Sequence, residues 1–195
     1  MKSGIAIPFR VDGRRQRGEA SRQAIVAAML ALMRAGNVAP GAEDVAARAG
    51  VGLRTVFRHF ENMESLYREM NALMVAEILP LAEKPFAAKS WRGNLDEMLE
   101  RRAEIFERIL PVKIAADVNR HKSHFLESET ARVTRAQRSS LVALLPKSLR
   151  EDGIKIEALD LILSFDTWRR LRRDQNLTPR HARTVIAEMV ARLVD

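Results

Sequence analysis

The sequence predicts an all-α protein, and three observations support that prediction. Apolar residues recur with the 3.6-residue period of amphipathic helices along almost the whole chain of 195 residues. No alternation of apolar and polar residues continues long enough to indicate a strand. Glycine and proline interrupt the helical pattern at defined points, as in "APGA" at 39–42 and "EDGIK" at 151–155, and these breaks separate the predicted helices.

The composition is that of a basic globular protein without cysteine. Lysine and arginine number 33 against 25 acidic residues, so the net charge is +8, which suggests an anionic partner: nucleic acid first, an acidic membrane surface second. The absence of cysteine excludes a disulfide framework and thiolate metal sites. Residues 1–18 lack the apolar run of a signal peptide, and no run has the length of a membrane span. We therefore expect a cytoplasmic protein without a membrane partner.

The chain is expected to begin with a basic flexible arm at residues 1–18. Four arginines give this arm most of its charge: Arg10, Arg14, Arg15 and Arg17. They suit contacts with phosphates or with a minor groove, although a solvated tail has the same composition. The first helix is predicted at 19–35, where an apolar stripe precedes the stop signal Gly36-Asn37.

Two short helices are predicted on either side of Gly50, at 43–49 and 53–60, and they form a helix-turn-helix pattern. In the second of them, Val56, Phe57 and Phe60 are predicted to be buried anchors. The remaining side chains are then exposed or marginal: Leu53, Arg54, Thr55, Arg58 and His59. Arginine pairs with guanine, threonine reaches a phosphate or base, and leucine contacts a thymine methyl, so this face suits the major groove of DNA.

The rest of the chain is predicted to form six amphipathic helices, at 63–79, 91–110, 112–122, 125–150, 156–174 and 179–194. Asn62 is expected to cap the first of them, and Thr178 with Pro179 the last. The helix at 156–174 is apolar over a wide arc of its circumference. The core of the protomer would cover one side of that arc, and a symmetric partner would cover the other. The alternative is a well-packed monomer. The residues expected at this dimer interface are Leu159, Ile162, Ala182, Ile186, Met189 and Leu193.

A ligand pocket is expected between the helices at 63–79, 91–110 and 125–150. Its candidate lining residues are Met70, Leu73, Met74, Trp91, Met98, Phe106 and Phe125. Each of them, taken singly, is better explained as core packing, since methionine fills irregular space with or without a ligand.

No catalytic constellation appears in the sequence, so neither an enzyme nor a cofactor is predicted. There is no glycine-rich phosphate loop, no cysteine nucleophile and no nucleophile-elbow motif. His121, His124 and Glu127 have a helical spacing that would allow a metal site. Surface histidines are commoner than metal ligands, and no motif supports a site here, so no metal is predicted.

The segment "EDVAARAGVGLRTVFRHFENMESLY" resembles the DNA-binding signature of the TetR family of transcriptional regulators. The matching positions, in unbroken register, are Val45, Ala46, Ala49, Gly50, Val51, Thr55, Phe57, His59, Phe60 and Leu66. The resemblance implies a helix-turn-helix DNA-binding domain at 19–66 and a helical effector-binding and dimerisation domain at 67–195. It also implies a homodimeric repressor that binds an operator in double-stranded DNA and leaves it when a small-molecule effector binds.

Four positions depart from the pattern of that family. The family often has threonine before the first motif helix, a polar residue at the start of the recognition helix, and tyrosine and lysine where this chain has Phe57 and Met63. The first two positions hold Gly41-Ala42 and Gly52 here. Each departure removes a phosphate contact, which keeps open an alternative: a helical ligand-binding or scaffold protein with a degenerate DNA-binding head.

Overall fold

The computed structural model describes residues 13–195, and every regular element in that part of the chain is helical. The α-helices are α1 (Gly13–Arg34), α2 (Ala42–Ala49), α3 (Leu53–His59), α4 (Met63–Ala82), α5 (Trp91–Asn119), α6 (His124–Leu144), α7 (Lys147–Arg150), α8 (Gly153–Ile162), α9 (Phe165–Arg169) and α10 (Pro179–Val194). A 3-10 turn at Arg120–Lys122 follows α5, and a π-helical turn at Arg170–Asp174 follows α9. The all-α prediction is confirmed. Within residues 13–195, no helix is both long and apolar enough to cross a membrane.

Local chemistry sets the ends of several helices where the sequence predicts them. Gly50 ends α2 in the left-handed region, with φ 66° and ψ 31°, a conformation that costs glycine little. The Asn62 side chain accepts a hydrogen bond of 2.9 Å from the backbone N–H of Ser65 and so caps α4. The hydroxyl of Thr178 caps α10 in the same way, at 3.2 Å from the backbone nitrogen of His181.

The helix-turn-helix head, which we define as α1 to α3, packs around one apolar cluster. Ile25, Met29 and Met33 are four residues apart on α1, and all three are buried on its inner face. The same cluster continues through α4 and reaches Val112 on α5 and Leu126 on α6. The head therefore shares its core with the helices behind it.

A second apolar cluster fills the C-terminal part of the molecule. It joins α5, α6, α8, α9 and α10 around Trp168, Leu159 and Leu141, all of which are fully enclosed. Phe106 of α5 meets Phe165 of α9 edge to face, with ring centroids 5.6 Å apart. This cluster fixes the orientation of α10 against α5 and α8.

The break predicted between the helices at 91–110 and 112–122 is absent, because α5 runs continuously from Trp91 to Asn119 and contains Pro111. Proline removes one backbone hydrogen bond and normally ends or kinks a helix. Here its neighbours Leu110 and Val112 are both buried, in the C-terminal cluster and the head cluster respectively. Burial on both sides of the proline outweighs the lost hydrogen bond and keeps the helix continuous.

The single helix predicted at 156–174 is divided in the structure. It consists of α8, α9 and the π-helical turn, with a break at Leu163 and Ser164. The Ser164 hydroxyl accepts a hydrogen bond of 3.2 Å from the backbone nitrogen of Thr167 and starts α9 anew. The helix predicted at 125–150 is divided as well, since α6 ends at Leu144 and Pro146 precedes α7.

Candidate nucleic-acid interface

The recognition helix α3 has a buried side and an exposed side, and the division differs from the prediction at one residue. Val56 and Phe60 are each only 2% exposed and anchor the helix as expected. Phe57, predicted to be a third anchor, is instead 52% exposed. Val56 and Phe60 are four residues apart and lie on nearly the same side of α3, whereas Phe57 is turned about 100° away from Val56, and on that side the head cluster does not cover it.

The exposed side of α3 carries an apolar row beside a cationic row. Leu53, at 37% exposure, and Phe57 are four residues apart and form the apolar row. Arg54 and Arg58, also exposed and four residues apart, form the cationic row. Leu53, Arg54 and Arg58 therefore lie together on one accessible face.

Thr55 and His59 lie on a different flank of α3, where both are half-buried. The imidazole of His59 lies against α1: a Cβ atom added at Gly18 would be 4.0 Å from its Cε1. Its Nε2 is buried and has no hydrogen-bond partner among residues 13–195. Burial lowers the pKa of His59 below its usual range, and the charges of Arg58 and Arg22 lower it further, so at neutral pH the imidazole is uncharged.

Arg22 of α1 ties the end of α3 to α4. Its Nη1 donates a hydrogen bond of 2.8 Å to the carbonyl of His59, and its guanidinium lies 4.6 Å from the centroid of the Phe60 ring. The same side chain forms a two-pronged ion pair with Glu69 of α4, with Nε 2.9 Å from Oε2. Arg22 is not among the predicted site residues, although its position one turn before the apolar stripe of α1 places it near the motif.

The helix N-termini of the motif have no side-chain cap. Gly41 precedes α2 and Gly52 precedes α3, and neither supplies a side-chain oxygen. The Gly41 N–H donates instead to the Asp44 carboxylate at 3.0 Å. In α3 the N–H of Thr55 already donates to the Gly52 carbonyl at 2.7 Å. No side chain among residues 13–195 caps either helix, so the earlier N–H groups of each first turn can donate to an external acceptor such as phosphate.

Part of the predicted basic arm is helical. Arg15 and Arg17 lie in the first turns of α1 and are exposed. Arg10 and the side chain of Arg14 lie outside the described residues. The first helix begins at Gly13 rather than at 19, because the polar stretch before Ile25 has no apolar period from which its start could be predicted.

The predicted pocket residues belong to two different apolar clusters, apart from one that is exposed. Met70, Met74 and Phe125 belong to the head cluster, whereas Trp91, Met98 and Phe106 belong to the C-terminal cluster. Leu73 is 51% exposed on the surface of α4. The described structure thus assigns these side chains to two clusters and to the surface, and a ligand pocket between the three helices stays a prediction.

A cleft of about 690 Å³ lies elsewhere, between the end of α4, α5, α9 and α10. Leu81, Trp168 and Pro179 contribute apolar surface to it, and acidic and basic side chains surround them. Several of those charges are already paired: Glu107 accepts hydrogen bonds from Arg172 and Trp168, for example. These bonds to Arg172 and Trp168 hold the pKa of Glu107 below its usual range.

Four residues predicted at a dimer interface lie inside the protomer. Leu159, Ile162, Ala182 and Ile186 are all buried in the C-terminal cluster. The arc of α8 and α10 that faces outward instead carries Ile154, Leu161 and Met189, at 85%, 66% and 39% exposure, while Leu193 is half-buried. The sequence predicts an apolar arc on these helices that is too wide to show which part of it packs inside the protomer.

Arg102 is a buried charged residue that the sequence analysis did not single out. Its guanidinium donates to the Leu163 carbonyl at 3.1 Å and to the Ser140 hydroxyl at 3.3 Å, which links α5 to α6 and to the break after α8. Burial lowers its pKa to about 10, so it stays charged at neutral pH. The sequence does indicate that Arg102 is buried, because position 102 falls on the apolar stripe that contains Leu95, Leu99 and Phe106.

The three residues considered for a metal site are exposed. His121, His124 and Glu127 lie at the junction of the 3-10 turn and α6. Among residues 13–195, no three histidine, cysteine, aspartate or glutamate side chains come close enough to hold a metal ion.

Comparison with known proteins agrees with the helix-turn-helix geometry. The model of the tetR family of bacterial regulatory proteins matches residues 25–70, which span the C-terminal part of α1, all of α2 and α3, and the start of α4. A crystal structure from Pseudomonas aeruginosa PAO1, provisionally described as a transcriptional regulator, is similar in fold, with a TM-score of 0.65 and 19% identity over 96% of this chain and 94% of that one. No curated protein matches the chain. The chain is therefore a transcription regulator whose N-terminal region, residues 25–70, belongs to the TetR family.

Proposed function

We propose that this regulator acts as a repressor that reads an operator in double-stranded DNA through α3. The observation that supports this most is the cationic row of Arg54 and Arg58, which is exposed and forms no ion pair with any residue from 13 to 195. The uncapped starts of α2 and α3 add free N–H groups for phosphate oxygens. Leu53 extends the same face toward base edges.

The proposal is tested by selecting bound DNA from a random pool and measuring the affinity of variants for the selected operator. Arg54→Ala is expected to weaken specific binding by about 1–3 kcal/mol and to relax the preference at one base position. Arg150→Ala, which removes an exposed arginine of α7, is the matched control and should bind normally. An equal loss on all DNA sequences would make Arg54 a phosphate clamp, and failure to enrich any sequence would contradict the proposal.

The basic arm is proposed to add contacts with DNA phosphates. Arg15 and Arg17 are exposed at the start of α1, before the part of that helix that packs on α3. Each phosphate contact that is lost lowers the slope of log affinity against log salt by about one. A chain that lacks residues 1–17 should show such a lower slope, and an unchanged slope would make the arm a solvated tail.

The repressor is proposed to work as a homodimer that a small-molecule effector releases from DNA. Two-fold symmetry would present two copies of α3 to two operator half-sites, and an effector would bias their separation. The cleft between α4, α5, α9 and α10 is the proposed effector site, since its volume lies in the range of small-ligand pockets. Screening small molecules for loss of operator binding tests this step.

The alternative function is a ligand-binding or scaffold protein whose head no longer reads DNA. The departures from the family pattern favour it, since Ala42, Gly52, Phe57 and Met63 lack the polar groups with which that family often contacts phosphate. The alternative predicts that selection from a random DNA pool enriches no sequence while the folded protein still binds its ligand.

A further inference from the structure

The exposure of Phe57 needs an explanation, because half of a large ring is left in water on the recognition helix. Its neighbours Val56 and Phe60 are 2% exposed, so the head had an apolar core available and Phe57 does not enter it. Leu53, one turn earlier, adds a second exposed apolar side chain to the same row. These two apolar side chains lie beside the exposed Arg54 and Arg58, so this face of α3 suits a partner that presents both anionic and apolar groups.

We propose that Phe57, together with Leu53, contacts the 5-methyl groups of thymines in each operator half-site and so determines sequence specificity. This inference rests on the proposed binding of α3 to operator DNA. The major groove displays one apolar group, the thymine methyl, and phenylalanine has neither charge nor hydrogen-bonding group with which to hold a phosphate. The apolar row is therefore complementary to thymine.

The cationic row fixes where the apolar row must lie. Arg54 directly follows Leu53 and Arg58 directly follows Phe57, so the two rows run side by side along α3. When the arginines reach guanines or phosphates at the groove, the apolar row faces the neighbouring base pairs. Each half-site should thus contain thymine next to the positions that depend on Arg54 and Arg58.

The test replaces thymines of the selected operator, one position at a time, with deoxyuridine, which lacks only the 5-methyl group. For the unaltered protein, one replacement in a half-site should weaken binding about four-fold, the value of one buried methyl group. Phe57→Ala should weaken binding to the thymine operator by a similar or larger factor and should lose all sensitivity to that replacement. Phe57→Leu keeps an apolar side chain and should retain part of the sensitivity.

The controls separate reading from folding and from the wider proposal. Phe86→Ala removes another partly exposed ring, one that stacks on Arg101 far from α3 in sequence, and should change neither affinity nor sensitivity. If Phe57→Ala and the deoxyuridine replacement each weaken operator binding by a separate factor and the two factors multiply, the proposal is overturned. Half-sites that contain no thymine would overturn it as well. If Arg54→Ala still relaxes specificity in that case, operator binding stands and only the role of Phe57 is wrong.

Discussion

Two aromatic side chains three residues apart on α3 have opposite environments. Phe60 is 2% exposed within the head cluster, whereas Phe57 is 52% exposed. Phe60→Ala should therefore lower the free energy of unfolding by about 3–5 kcal/mol, through lost burial and a cavity. Phe57→Ala should change it by less than about 0.5 kcal/mol, as surface substitutions do. Urea unfolding of both variants checks the pair, and a larger loss for Phe57→Ala would reverse the assignment of faces.

His59 should make the stability of the head depend on pH. Burial, with Arg58 and Arg22 nearby, lowers its pKa in the folded state, so between that pKa and about 6.5 the unfolded chain binds more protons than the native one. The free energy of unfolding therefore keeps its full value above pH 6.5 and decreases as the pH falls through this window. His59→Asn should show a smaller loss between pH 7.5 and 5.5 in urea unfolding. Equal losses in both proteins would assign the dependence to other groups.

At the scale of elements, Arg22 joins three helices with one guanidinium. It contacts the last carbonyl of α3, the Phe60 ring and Glu69 of α4. Since the side chains of Arg22 and Glu69 are about one-third exposed, Arg22→Ala should cost roughly 1–2 kcal/mol of stability after allowance for solvent screening. Operator affinity should fall as well, because α3 loses its tie at the C-terminal end.

Arg34→Ala is the matched control for that element-scale prediction. Arg34 also pairs with α4, through Glu77 at 2.9 Å, but it makes no hydrogen bond to α3. Its removal should leave operator affinity unchanged and stability nearly so. If both variants weaken DNA binding equally, the α1–α4 contact rather than the α3 tie is responsible.

At the scale of the whole molecule, we expect the proposed homodimer to form through the exposed edge of α8. Leu161 is 66% exposed there, whereas Ile186 of α10 is buried in the protomer's own core. Leu161→Asp should give a folded monomer, and Ile186→Asp should unfold the chain because it buries an unpaired charge. Sedimentation at micromolar concentration together with thermal unfolding distinguishes the two. A folded, dimeric Leu161→Asp protein would place the interface on another surface.

Much of the architecture followed from short stretches of sequence. The turn at Gly50, the caps at Asn62 and Thr178 and the position of the helix-turn-helix all lie where the sequence predicts them. These features depend on few adjacent residues: a left-handed glycine or a side-chain oxygen three residues before an N–H group. Local chemistry is sufficient to specify them, whatever the rest of the chain does.

The tertiary structure alone decided which apolar residues are buried. It exposes Phe57, keeps α5 continuous through Pro111 and encloses Ile186 within one protomer. It also places the Arg102 guanidinium between the carbonyl of Gln137 in α6 and that of Leu163 at the break after α8. In each case the sequence contains an apolar arc or a helix-breaking residue. Whether that arc is buried, or the helix is interrupted, depends on which helices pack nearby. A periodic pattern defines the faces of a helix, but only the neighbouring helices determine which of those faces is covered.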